Sequence, residues 1–386
     1  MAALPPNFVL LQVIPALDTG GAEQTTLDVA RAVVEAGGRA VVASEGGRMA
    51  AELERRGAKL VRMPLDTKNP LVIRANTGRL ERLIRDERVS LVHVRSRAPA
   101  FSAFAAARRA NAPAIATYHG LYSSGNPLKR WYNSVMTRGV VTIANSDFTR
   151  DHIIAEHGLA PDRVISIPRG IDLARFDPGA VSSERIAALE ATYGKGRGRT
   201  RFLLAGRLTR WKGQVLALEA AEQLLDAGRS DFALIMVGDD QGRTAYRQTL
   251  TQNILNRGVV GHVLVAGHCD DMPAAYLATD VALAPSLAPE AFGRTAVEPQ
   301  AMGRPVIAAD HGGQRETVVD GETGWLVPPG DAGALARAMI EAMDAGPAQR
   351  AIMGAAGRAR TGRLYSVAAM CEATLNVYAE VLEGRL

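Results

Sequence analysis

Apolar residues in this chain fall in short unbroken runs, not in strict alternation with polar ones. In the first half the runs cover residues 8–14, 40–43, 60–63, 91–94, 114–118, 140–144 and 164–167, with helical segments between them. A strand that is apolar at every position has both faces buried, as in a parallel sheet covered by helices on each side. The pattern then repeats at 201–205, 233–237, 263–266, 281–284, 305–308 and 325–327. Between the halves the chain becomes polar and glycine-rich, ending in Gly194-Lys195-Gly196-Arg197-Gly198, which predicts a linker. The expected architecture is α/β, with two doubly wound Rossmann-like domains facing a central cleft. The first spans 1–180 and the second 201–361, joined by a linker region over 181–200. Residues 362–386 are predicted as a C-terminal helix packing back on the N-terminal domain. Ligands of such sheets bind beyond the carboxyl ends of the strands, so the cleft is the expected site.

Composition excludes several classes. A chain of 386 residues with 47% hydrophobic and 22% charged residues can bury two cores and is not disordered. No apolar run reaches the roughly 18 residues of a membrane span. No Lys or Arg precedes Arg31, so the basic start of an export signal is not expected either and a cytoplasmic location is. Two cysteines, Cys269 and Cys371, make neither a disulfide framework nor a metal-ligand spacing. Charge is uneven: residues 1–180 hold 24 Lys and Arg against 17 Asp and Glu. That surplus points to an anionic partner. The arginines 74, 79, 82, 85 and 88 are the candidate face for reversible contact with an anionic inner-membrane surface, though they equally fit a solvated helix face. Aromatic residues are only 5%, which speaks against a nucleic-acid partner.

The candidate chemistry lies just past the predicted strands. Glu290 and Glu298 are eight residues apart, about 12 Å if the intervening segment is helical. Carboxylates so spaced suit two separate polyols at the ends of an extended ligand such as a nucleotide sugar; a solvated surface helix fits the spacing as well. Gly312 and Gly313 permit close backbone approach to a diphosphate. Gly20-Gly21 opens a helix after the first strand, a place where backbone N–H groups meet anions and where glycine also serves plain turns. His119-Gly120 follows the fifth strand, and Arg207 and Lys212 follow the first strand of the second half. Fixed cations there can neutralise a departing diphosphate without a metal. No Asp-x-Asp, H-E-x-x-H or Walker-type motif occurs, so no metal or nicotinamide cofactor is expected.

Together these segments resemble the retaining GT-B glycosyltransferases of family 4. The resemblance runs through Gly20-Gly21-Ala22-Glu23, His119-Gly120, Ile167-Pro168-Arg169-Gly170-Ile171-Asp172, the loop 206–213, Glu290 to Glu298, Gly312-Gly313, Glu316 and the tail 320–327. It implies hexosyl transfer from a UDP- or GDP-linked sugar to a saccharide or lipid-linked acceptor. The anomeric configuration would be retained, without an enzyme nucleophile and without metal. It assigns Glu298 to the nucleotide ribose, Glu290 to the donor sugar, and Arg207 and Lys212 to the diphosphate. Phe292 and Gly293 join the donor-binding set, Gly20 and Gly21 offer N–H groups to phosphate or acceptor, and His119 lies beside the transferring sugar. Residues 95–103 and the segment after Tyr118 resemble lipopolysaccharide-core transferases, which implies a role in surface polysaccharide synthesis. The chain departs from the family pattern at Ala291, Pro299 and Arg169, where Gly, Ala and Asn are common. A non-hydrolysing nucleotide-sugar epimerase and a non-catalytic sugar-nucleotide-binding regulator are the alternatives.

Overall fold

The computed structural model describes residues 4–18, 20–122, 125–194, 198–242 and 244–386. Each predicted run becomes a strand. In the first half these are β1 (Val9–Val13), β2 (Arg39–Ser44), β3 (Lys59–Arg62), β4 (Leu91–Val94), β5 (Ala114–Tyr118), β6 (Thr142–Ala144) and β7 (Val164–Ser166). In the second they are β8 (Thr200–Ala205), β9 (Phe232–Val237), β10 (Val263–Gly267), β11 (Val281–Ala284), β12 (Val306–Ala309) and β13 (Gly324–Val327).

All pairings are parallel. The first sheet runs β3-β2-β1-β4-β5-β6-β7 and the second β10-β9-β8-β11-β12-β13. Both therefore share the doubly wound order, with a switch point beside their first strand. Alternate residues explain the unbroken apolar runs. In β1, Leu10 enters the core on one face while Val9, Leu11 and Val13 enter the other. In β8, Phe202 and Leu204 likewise oppose Leu203 and Ala205.

The chain divides into two compact units, residues 1–170 with 367–386, and residues 171–366. This differs from the boundary expected at 180, because Ile171 bridges to Ser366 and Phe176 is buried in the core of the second unit. It also corrects the linker. Ser183–Tyr193 form a helix, N-capped by Ser182, whose Tyr193 is buried in that same core. Residues 195–197 of the expected linker lie outside the described residues. At the other end the helix Gly346–Leu364 runs past the expected boundary at 361, and the break falls at Tyr365–Ser366. The final helix, Val367–Leu382, sets Met370, Leu375 and Tyr378 into the core of the first unit.

Candidate functional site

In the second unit β9, β8, β11 and β12 are parallel neighbours, so the segments leaving their carboxyl ends emerge on one edge of the sheet. The segment after β8 closes in a tight turn, Arg210–Lys212, that turns Lys212 inward to 8% exposure. Gly213 follows at φ +79°, and a Cβ there would stand 2.1 Å from the Pro285 carbonyl oxygen, so only glycine fits. Lys212 Nζ donates to Glu290 Oε1 at 2.7 Å and lies 4.5 Å from the centroid of the Trp211 ring. The same carboxylate oxygen accepts from Ser286 Oγ at 2.6 Å and from Gln314 Nε2 at 3.3 Å. Three donors on one oxygen fix the carboxylate. Glu290 Oε2 takes no hydrogen bond among the described residues, leaving it open to a ligand hydroxyl. His311 Nε2 stands 2.8 Å from the Ser286 carbonyl oxygen and, facing an acceptor, carries the ring proton.

The two glutamates do not share a helix. The helix begins only at Arg294, capped by Gly293 at φ +89°, so Glu290 belongs to the preceding loop and the 12 Å helical rise does not apply. Their separation is instead one of partners. Glu298 pairs with Arg294 at 2.7 Å through Oε1 and accepts from the Tyr276 hydroxyl at 3.3 Å through Oε2. Burial, then the neighbouring carboxylate, pushes the Tyr276 phenol well above its ordinary range and keeps it a donor.

The remaining predicted residues divide by role. Phe292 is buried edge-on against Tyr365, with ring centroids 5.5 Å apart, as core packing. Gly312 and Gly313 serve a close approach, but to the Glu290 loop: added Cβ atoms would lie 2.6 Å from the Glu290 carbonyl oxygen and from the Phe292 Cα respectively. Arg207 is exposed and makes no ion pair among the described residues. Its carbonyl oxygen accepts from Gln214 Nε2 at 3.0 Å, which pins the backbone of the loop. Ser286, Gln314 and Tyr276 escape the sequence reading because no spacing rule marks them.

The first unit holds a second cluster. Helix Gly21–Glu35 has Gly20 as its N-cap; Thr19 lies outside the described residues. Gly21 makes room for Arg169, since a Cβ there would lie 1.8 Å from its Nη1. Arg169 Nη2 donates to the His119 carbonyl oxygen at 2.9 Å and reaches His119 Nδ1 at 3.3 Å. A guanidinium only donates, so Nδ1 is the acceptor and the proton sits on Nε2, which is buried without a partner among the described residues. Burial, with Arg169 and Arg95 nearby, lowers the His119 pKa well below the ordinary histidine value.

Behind it Arg95, 2% exposed, directs Nε and Nη2 onto Gln12 Oε1 at 2.8 and 2.5 Å. His93 joins Tyr378 and Thr117 at 2.6 and 2.7 Å, and burial lowers its pKa too. Arg169 is visible in the sequence only as a departure from a motif; its contact with His119 requires the fold.

The predicted basic face is less uniform than its sequence implies. Helix Pro70–Asp86 carries Arg74, Arg79, Arg82 and Arg85, but Arg85 pairs with Glu81 at 2.8 Å and Arg88 lies beyond the helix at φ +53°. Among the described residues no helix is long and apolar enough to cross a membrane, and no cluster of three or more His, Cys, Asp or Glu could hold a metal ion.

Two family models cover most of the chain: Glycosyltransferase Family 4 over residues 19–175 and Glycosyl transferases group 1 over 187–360. A solved glycosyltransferase from Rickettsia africae ESF-5 is 32% identical, with a TM-score of 0.90, over 98% of this chain and 99% of that one. HepE from Anabaena, solved with UDP and glucose, shares the fold with a TM-score of 0.81 at 23% identity, over 97% of this chain and 100% of that one. D-inositol 3-phosphate glycosyltransferase 2 of Catenulispora acidiphila is 32% identical over 62% of this chain. The chain covers only 56% of that relative's length.

Proposed function

The chain belongs to the glycosyltransferases of group 1 and family 4, and from that premise we propose that it transfers a hexosyl group from a nucleotide-diphosphate sugar to a saccharide or lipid-linked acceptor. The observation that carries this reading is the Lys212–Glu290 pair, both side chains about nine-tenths buried, with Glu290 Oε2 left open. It offers a sugar hydroxyl an oriented acceptor and, beside it, a cation for phosphate oxygens. Arg207, exposed and without an ion pair among the described residues, adds a second cation for the diphosphate. Glu298, held by Arg294 and Tyr276, takes the ribose hydroxyls. In the first unit, Arg169 holds His119 as an Nε2–H donor.

The reaction forms the new glycosidic bond with retention of configuration. As the anomeric carbon–oxygen bond to the diphosphate breaks, the acceptor hydroxyl attacks and its proton passes to a donor phosphate oxygen. This scheme relies on positioning and on stabilising the leaving group, and no metal ion is part of it. Its support is that Glu290 is committed to three donors, and so is placed to hold a hydroxyl more than to attack carbon. A nucleotide-sugar donor is supported by the UDP and glucose bound by HepE, which shares the fold. The resemblance of residues 95–103 to lipopolysaccharide-core transferases supports a role in surface polysaccharide synthesis. The charge surplus of the first half supports an anionic acceptor, reached through reversible contact with an anionic membrane surface; the named inositol-phosphate transferase among its relatives fits the same chemistry. Thermal shift with UDP-, GDP- and ADP-linked sugars tests the donor, a specific donor raising the melting temperature with concentration. NMR of the product anomer tests retention. A panel without any shift, or an inverted product, contradicts the reading.

A further inference from the structure

Two cavities lie side by side along helix Arg97–Arg109 of the first unit and share Phe101 and Ala105 in their walls. The larger, about 460 Å³, is closed by Ile73 of helix Pro70–Asp86 and by Trp131 and Tyr132 of helix Pro127–Asn133. The smaller, about 310 Å³, extends the groove past Phe104 to Val140. Phe101 stacks obliquely on Trp131 and Tyr132 at 5.5 and 5.6 Å between ring centroids, so the walls form a continuous aromatic surface. Large apolar residues also stand out beside it: Leu71, Leu128 and Trp131 are 77%, 78% and 59% exposed. Such a concentration marks an interaction surface.

The charged residues lining the groove carry one sign. Lys68, Arg74, Arg108, Arg109 and Arg138 line the two cavities, and neither lining includes a carboxylate. Lys68, Arg74 and Arg108 make no ion pair among the described residues, while Arg109 has only a 3.7 Å contact with Glu81. An apolar groove bordered by cations, Lys68, Arg74 and Arg108 of them without an ion pair among the described residues, matches an alkyl chain joined to a phosphate. We infer that this groove docks an anionic phospholipid of a bilayer surface, with a chain against Phe101 and Trp131 and the headgroup on Lys68, Arg74 and Arg109. The inference rests on the membrane contact proposed above and moves it from the face of Arg79, Arg82 and Arg85 to the neighbouring groove.

The test is co-sedimentation of the full chain with phosphatidylglycerol-containing and pure phosphatidylcholine vesicles at low and high salt, with tryptophan emission read in parallel. The wild type binds the anionic vesicles at low salt, salt weakens binding, and the emission shifts to the blue; the shift is absent in Trp131→Phe. The double variants Leu128→Ser/Trp131→Ser and Lys68→Glu/Arg74→Glu each weaken binding at least tenfold with unchanged melting temperatures, whereas Arg79→Glu/Arg82→Glu weakens it less. No binding by the wild type overturns the membrane contact and this inference together. Anionic binding that survives both groove variants overturns the groove alone. Self-association lost in the apolar variant, without vesicle binding, assigns the face to a second copy of the chain and also overturns it.

Discussion

Arg169 Nη2 lies 2.9 Å from the His119 carbonyl oxygen and 3.3 Å from its Nδ1, so one guanidinium fixes both the backbone and the ring proton of the histidine. The buried Nε2 is thereby left as a donor without a partner among the described residues. Nitrogen-15 NMR of the ring at neutral pH should show the Nε2–H tautomer. His119→Ala should lower kcat/KM by about 100-fold, the scale of losing one oriented donor. An Nδ1–H tautomer would contradict the assignment.

Gly21→Ala should act through the same pair. The added Cβ displaces the flexible end of Arg169 and releases His119, while the helix gains a better former. Turnover should fall about tenfold with a stability change under about 1 kcal/mol. Arg169→Asn should reproduce the loss, and combining the two should add little; full additivity would show that they act separately.

Stability should fall with acid below neutrality. His93 and His119 have folded pKa values below the unfolded value of about 6.5, so the unfolded chain binds more protons between those limits. The stability that their neutral forms confer is complete above that pH and declines as pH falls towards the folded values. The slope is up to about 1.4 kcal/mol per pH unit for each histidine. Denaturant titrations from pH 7.5 to 5 measure it, and His93→Gln should reduce the slope.

Glu290→Gln should chiefly lower turnover, whereas Glu298→Gln should weaken binding of free UDP or GDP. The two carboxylates share no partner, Glu290 being tied to Lys212, Ser286 and Gln314 and Glu298 to Arg294 and Tyr276. Calorimetry with the free nucleotide separates them, and equal losses would overturn the division. Lys212→Met should cost about 3 kcal/mol of stability, because it strands a buried carboxylate. Destabilisation under about 1 kcal/mol would show that the pair behaves as a solvated one and would overturn this prediction.

Activity should survive EDTA undiminished. Arg207 and Lys212 are the cations proposed for the leaving diphosphate, and Lys212→Ala should cost about 3 kcal/mol of transition-state stabilisation. Restoration of an EDTA-inactivated enzyme by Mg²⁺ or Mn²⁺ would overturn the metal-free scheme.

The strands and their division into two parallel sheets were legible in the sequence because doubly buried strands must be apolar at each position, and a run such as 281–284 satisfies that locally. Glu290, Lys212 and His119 were legible as types at strand ends, since the edge of a parallel sheet is where ligands bind. What each touches was not. Lys212 and Glu290 are 78 residues apart and His119 and Arg169 are 50 apart, so those contacts exist only once the sheets are assembled. The helix start at Arg294 also came from the fold, because Gly293 adopts positive φ where the Gln314 segment packs against it. The domain boundary was decided in the same way. Nothing in the composition near residue 170 separates Gly170 from Ile171, but burial of Ile171 and Phe176 in the second core assigns that stretch to the second unit. Local pattern records which residues must leave water; which partners they meet there is a property of the tertiary structure alone.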